Sequence, residues 1–127
     1  MRRGNGQLIL VVDDEASMRL VTKKIFERFG YRVILADDGS EAVIIFAIRD
    51  KEIDLVLIDM VMPVLDGPAT IQILRKMKPE QRIIVTSGNA TEDQFLRATG
   101  LDAKYFLAKP FTAQQLLSKV AEVLDPR

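Results

Sequence analysis

Five short aliphatic runs, each followed by a longer amphipathic stretch, recur along this chain, and that alternation limits the fold more tightly than any other feature. The runs fall at residues 8–12, 32–36, 53–58, 82–86 and 105–108 and are bounded by Gly, Asp, Asn or Pro. Strands buried on both faces read as near-continuous apolar runs, because helices cover each side of a parallel sheet. The stretches between them carry helical spacing and helical punctuation. Val21, Ile25 and Phe29 stand four residues apart, and Gly30 closes that first helix. A second helix is predicted over 40–49. A third opens near Pro68, whose missing amide is no loss in a first turn, and ends near Met77 before Pro79. The fourth covers 91–99. The fifth covers 112–124, with Leu116, Val120 and Val123 on one side and Pro126 as its stop.

With 127 residues, this (βα)5 alternation makes one domain large enough to bury a core without staples. Right-handed crossovers then predict an α/β, three-layer doubly wound sandwich. Its five-stranded parallel sheet is expected in the flavodoxin-like order 2-1-3-4-5. The domain is placed at residues 8–125, and residues 1–7 read as a polar lead or the remnant of a linker. Because no output domain follows Pro126-Arg127, the expectation is a stand-alone domain or one cut from a longer chain. Lys and Arg number 18 against 18 Asp and Glu, which leaves no net field for a nucleic-acid backbone or an anionic membrane, so neither is an expected partner. His and Cys are both absent, which removes disulfides, thiol chemistry, the common transition-metal sites and any imidazole base. No stretch reaches the length of a membrane span and the start is unlike a signal peptide, so a cytoplasmic location is expected.

In a doubly wound sheet, functional groups gather beyond the carboxyl ends of the strands. Those ends carry Asp13, Asp14 and Glu15 after the first run, Asp59 after the third, Ser87 after the fourth and Lys109 after the fifth. Taken singly, each has an ordinary structural reading: Asp14 or Ser17 as a cap of the first helix, Asp59 as a loop carboxylate, Ser87 as a turn residue, Lys109 as a solvated charge. Their joint placement on one edge favours chemistry. Crowded carboxylates repel unless a cation intervenes, and with oxygen donors alone on offer the ion that fits is Mg²⁺. Beside such an ion, Asp59 can attack phosphorus, Lys109 can hold a phosphoryl oxygen, and Ser87 can donate to another.

The wording of these segments is specific. The chain reads Ile-Leu-Val-Val-Asp-Asp-Glu at 9–15, Ala-Asp-Asp-Gly-Ser-Glu-Ala at 36–42, Asp-Leu-Val-Leu-Ile-Asp-Met-Val-Met-Pro at 54–63, and Phe-Leu-Ala-Lys-Pro-Phe at 106–111. On these motifs it resembles the receiver domains of the two-component response-regulator family, chemotaxis regulators among them, from about residue 8 to residue 124. The resemblance implies a signalling switch of a phosphorelay in which Asp59 accepts a phosphoryl group from the phosphohistidine of a histidine kinase or histidine phosphotransfer domain. It implies Mg²⁺ held directly by Asp14 and Asp59, through water by Asp13, and by the backbone carbonyl of Val61. Ser87 and Phe106 match the switch hydroxyl and switch aromatic that remodel the face of helix four, strand five and helix five. A cis Lys109–Pro110 bond is expected on the same basis. Met18, Arg19, Thr22 and Lys23 match kinase-contacting positions of helix one, and Val61 and Asn89 match positions that tune how long the phosphoryl group survives.

Some positions depart from the commonest family pattern. Arg82 stands where many relatives have Pro, Asp102 where many have Gly, and Phe106 where Tyr is frequent. A ring without a hydroxyl signals by shape alone. An aliphatic Val61 neither orients a water nor acts as a base, which predicts a long-lived phosphoryl state. The Asp-Gly-Pro at 66–68 is similar to receivers attached to hybrid sensor histidine kinases. Other readings are a phosphatase of the haloacid-dehalogenase type, which wants a second Asp where Val61 stands, and a flavodoxin-like FMN carrier, whose first loop would not be Asp-Asp-Glu. A degenerate receiver serving as a binding module is opposed by the intact acidic set. Residues 42–48 of the second helix are all apolar, so some must face outward; either neighbouring loops and the stems of Lys or Arg cover them, or Val43, Ile44 or Ala47 meets a host domain or a second subunit.

Overall fold

The predicted alternation folds as β1 (Leu8–Val12), α1 (Ala16–Arg28), β2 (Arg32–Ala36), α2 (Gly39–Arg49), β3 (Ile53–Asp59), α3 (Gly67–Met77), β4 (Ile83–Ser87), α4 (Glu92–Thr99), β5 (Phe106–Ala108) and α5 (Ala113–Leu124). These come from a computed structural model describing residues 2–125; Pro126, expected as the final stop, lies outside them. Every strand pair is parallel, and the order is β2-β1-β3-β4-β5, as the alternation predicts. None of the helices among the described residues is long and apolar enough to cross a membrane.

Period-two alternation divides the buried residues of the strands between two clusters. Leu10, Val12, Val56, Ile58, Ile83 and Val85 pack under α2, α3 and α4, where Phe46, Leu74 and Phe95 close the layer. Ile9, Val11, Leu55, Leu57, Ile84 and Leu107 pack under α1 and α5 against Phe26, Leu116 and Val120. One irregularity adjusts the phase. Leu8 pairs with Ile53 but Ile9 pairs with Leu55, so Asp54 drops out of the ladder and its carboxylate accepts from the Leu8 amide at 2.9 Å.

Several boundaries and faces differ from expectation. β4 covers Ile83–Ser87 rather than 82–86; Arg82 just before it is exposed, its carbonyl accepting from the Val56 amide at 3.1 Å and its guanidinium donating to the Leu124 carbonyl at 2.9 Å. Tyr105 belongs to a single 3₁₀ turn, Ala103–Tyr105, which Asp102 caps by accepting from the Lys104 amide at 3.0 Å. Of the departures from the family pattern, Asp102 thus serves a local turn, while Arg82 ties the start of β4 to the end of α5. In α1 the predicted stripe holds in part: Ile25 and Phe29 pack against the core, but the fully buried residues are Thr22 and Phe26, and Val21 is 52% exposed. Thr22 therefore faces the core and is not a surface contact. In α2, Val43 packs against the core, whereas Ile44 and Ile48 are exposed. Gly30, with φ of 91°, follows the α1 C-cap as predicted. The polar lead runs against that turn, with the Gly4 amide donating to Phe29 and the Gly6 amide to Gly30 at 2.6 and 2.8 Å.

Gly67 ties the start of α3 to the end of β3. Its amide donates to the Met60 carbonyl at 3.0 Å, and a Cβ there would stand 2.6 Å from the Asp59 carbonyl oxygen and 2.7 Å from the Met60 Cα. Backbone atoms cannot yield as side chains do. Gly67→Ala is expected to lower stability by about 1–3 kcal/mol, read as a shift of the urea midpoint; an unshifted midpoint would mean that the loop relaxes freely.

Candidate functional site

The alternation that builds the core also aims the site. Asp13, Asp59 and Lys109 each stand two residues beyond a side chain of the α1–α5 cluster, namely Val11, Leu57 and Leu107. The ladder persists to that point, since the Asp13 amide donates to Ala36 at 3.2 Å and the Lys109 amide to Ser87 at 2.8 Å. All three side chains therefore continue on one face, past the rim of the sheet. Lys109 Nζ lies 3.0 Å from Asp13 Oδ2 and 3.3 Å from Asp59 Oδ2. The other Asp13 oxygen accepts from the Glu15 amide at 2.9 Å, and Asp59 Oδ1 accepts from the Val61 amide at 3.4 Å. Asp13 is buried, Asp59 half-buried and Asp14 exposed, yet one carboxylate oxygen from each falls within 4.8 Å of the others.

Burial raises the affinity of Asp59 for its proton; the Lys109 ammonium opposes this, but the charge of Asp13 reinforces it, and the carboxyl sits above its usual range. Burial likewise disfavours the Lys109 ammonium. The hydrogen bond and charge of Asp13, then those of Asp59, outweigh that effect and raise its pKa above the usual lysine value. The ammonium is thus shared, and it lies nearer Asp13. Three hard, anionic oxygen donors on one rim suit Mg²⁺ by donor type and charge.

The capping reading does not hold. The N-cap of α1 is Glu15, with no side-chain cap bond, so neither Asp14 nor Ser17 serves there. Ser87 is buried, and its Oγ accepts from the Asn89 and Ala90 amides at 3.3 and 3.0 Å. Val61 and Asn89 are exposed beside the rim. Phe106 is half-buried and stacks on Phe95, with ring centroids 5.0 Å apart. The Lys109–Pro110 bond is cis. Two participants were not anticipated. Arg19, read only as a surface contact, donates to the Asp13 carbonyl at 2.6 Å and fixes the first acidic loop. Phe95 could be noticed in sequence only as the aromatic of a polar helix.

The sequence pattern of the response regulator receiver domain matches residues 9–121. The chain belongs to that receiver family. It is 32% identical over 118 residues to chemotaxis protein CheY of Bacillus subtilis, covering 92% of this chain and 97% of the relative. It is 41% identical over 118 residues to the sensor kinase CckA of Brucella abortus, covering 92% of this chain but 12% of that protein. A probable transcriptional regulator ycf27 of Porphyra purpurea is also 41% identical, and the chain spans 46% of its length. Among solved structures, a response regulator receiver domain from Clostridium thermocellum superposes with a TM-score of 0.86 at 31% identity, over 93% of this chain and 94% of that one. Receivers are signalling switches of two-component systems and bind Mg²⁺ through an acidic pocket; this receiver has the acidic cluster in Asp13, Asp14 and Asp59.

Because its folded pKa is raised, Lys109 contributes stability that is complete below the ordinary lysine range and is lost as pH climbs through the raised value. In metal-free buffer, unfolding free energy should therefore fall more steeply above about pH 10 in the wild-type receiver than in Lys109→Met. Parallel pH slopes from urea titrations of the two proteins would contradict the shared-ammonium geometry.

Proposed function

We propose that Asp59 is the phosphoacceptor of this receiver and that its donor is the phosphohistidine of a histidine kinase or histidine phosphotransfer domain. An Asp59 oxygen attacks phosphorus, the P–N bond breaks with its electron pair passing to the imidazole, and an acyl phosphate forms on the carboxylate. Lys109 is already hydrogen-bonded to Asp59 and moves to a phosphoryl oxygen as charge leaves the carboxylate. Ser87 donates its hydroxyl proton to a second phosphoryl oxygen while giving up the loop amides. Asp13, Asp14, Asp59 and the Val61 carbonyl would hold Mg²⁺, which when bound neutralises the phosphoryl oxygens. Phe106 follows Ser87 and remodels the face formed by α4, β5 and α5.

The observation that carries this reading is the convergence of three carboxylates within 4.8 Å beside one ammonium at the strand ends. A solved CheX-CheY-BeF3-Mg+2 complex from Borrelia burgdorferi, to which this chain superposes with a TM-score of 0.82 at 27% identity, supports the choice of ion. The identity to a sensor kinase supports a hybrid-kinase origin, with the receiver working in the cytoplasm beside a transmitter domain. A turnover phosphatase is disfavoured, since Val61 occupies the place of the second acid.

Incubation with acetyl phosphate and Mg²⁺ should add the mass of one phosphoryl group to the wild type and none to Asp59→Asn, and EDTA should prevent the gain. An unmodified wild type, or a modified Asp59→Asn, would end this reading. With aliphatic Val61 60% exposed at the rim, no side chain there activates water. The modified protein, freed of donor by gel filtration, should keep its phosphoryl group for minutes or longer, with Asn89 beside it as the other tuning position. Decay within seconds would mean that another group supplies the base.

A further inference from the structure

Among the long helices of the domain, α4 has the least purchase on the core. Its eight residues bury one side chain, Phe95, whereas α3 buries four residues and α5 five. What keeps α4 helical is local. Thr91 and Gln94 form a reciprocal capping box, Gly100 closes the end in a left-handed conformation, and Asp93 pairs with Arg97 at 3.0 Å. What seats it on the sheet is the Phe95 ring, fully buried and stacked on Phe106 with the planes 28° apart. Phe106 lies opposite Val85 in the β4–β5 ladder, and alternation puts Ser87 on the same face two residues further on. The loop entering α4 is meanwhile held by the Ala90 and Asn89 amides on Ser87 Oγ. Both the body of α4 and its approach are therefore fastened to the two residues assigned to the switch.

We infer that Phe95 is the positioning residue through which α4 follows that switch, an inference that rests on the phosphoacceptor reading above. When Ser87 Oγ turns toward a phosphoryl oxygen, the entering loop loses its acceptor. When the Phe106 ring moves, the surface beneath Phe95 moves with it. A helix anchored by one ring then shifts as a unit between two seatings, and the phosphoryl group biases which seating is populated. The Phe106 ring has no hydroxyl to signal by hydrogen bonding, so stacking against Phe95 is the route by which its position reaches α4.

Hydrogen exchange of the peptide covering residues 92–99, with and without Mg²⁺ and beryllofluoride, tests this. In the wild type, loading should change α4 exchange several-fold. Phe95→Leu should exchange roughly two- to tenfold faster before loading, the size that a lost aromatic pair implies. Its loaded-to-unloaded ratio should collapse toward one while acetyl phosphate still adds one phosphoryl group. Phe106→Leu removes the other ring; it should show the same collapse, and it supplies the readout should Phe95→Leu not fold. A residue with a purely structural role would speed exchange equally in both states and leave the ratio intact, and that result in either variant overturns the inference. A wild type that takes up no phosphoryl group overturns the phosphoacceptor reading itself, and the inference with it.

Discussion

The ammonium of Lys109, held between the carboxylates of Asp13 and Asp59, is the interaction on which the rim of this sheet depends. A parallel sheet with helices on both faces delivers its strand ends to one edge, and here that edge receives acids from β1 and β3. Two partly buried carboxylates facing each other would repel in a medium of low effective dielectric constant. Lys109 reaches in from beyond β5, passing the end of β4, and bridges them. The bridge is incomplete by charge. With Asp14 counted, three carboxylates face one ammonium, which leaves two negative charges that a divalent cation would match.

The same geometry separates the charged groups from the aromatic pair. Asp13, Asp59 and Lys109 continue the alternation of the α1–α5 face, while Ser87 and Phe106 belong to the face covered by α2, α3 and α4. One side of the sheet therefore holds the charged groups, and the other holds a buried hydroxyl and an aromatic pair. β4 joins them, because its last residue, Ser87, lies at the rim yet points its side chain toward α4. On the function proposed above, a charge placed at the rim would reach the α4 side through that hydroxyl.

Most of this was legible in the residues, for reasons that differ from element to element. β1 and β2 were bounded correctly because both lie between polar or glycine stops, and α3 because Pro68 and Pro79 bracket it. The acidic site was legible because each member directly ends a strand, so topology alone assembles it. The phase of α1 was legible only in part, since Ile25 and Phe29 do pack against the core. Hydrophobicity chose Val21, whereas helical geometry buries Thr22 in line with Phe26, and a polar residue in a core stripe leaves no apolar signal. The step that removes Asp54 from the β1–β3 ladder was hidden too, since its cause is a hydrogen bond to Leu8, forty-six residues away in sequence. The pairing of Phe95 with Phe106 likewise exists only once α4 is laid against β5.

The loop that follows Asp59 shows how strain and rigidity combine at this rim. Val64 adopts a φ of 69° with its side chain 93% exposed, a conformation that L-residues, and β-branched ones above all, avoid. Such a residue costs of order 1–3 kcal/mol and persists only where its surroundings over-determine it. They do so here from both sides. Upstream, the Met60 amide donates to the Thr86 carbonyl at 2.8 Å, which keeps the chain on the sheet beyond Asp59. Downstream, Asp66 caps α3 by accepting from the Ala69 amide at 2.9 Å, and Gly67 presses against the Asp59 and Met60 backbone. With both ends fixed, the intervening residues have little freedom, and the strain gathers at Val64. The consequence is that Val61, whose amide contacts Asp59, is held in place relative to the carboxylate without any side-chain bond of its own. The backbone beside Asp59 is thereby preorganised by the packing of a glycine and the capping of a helix.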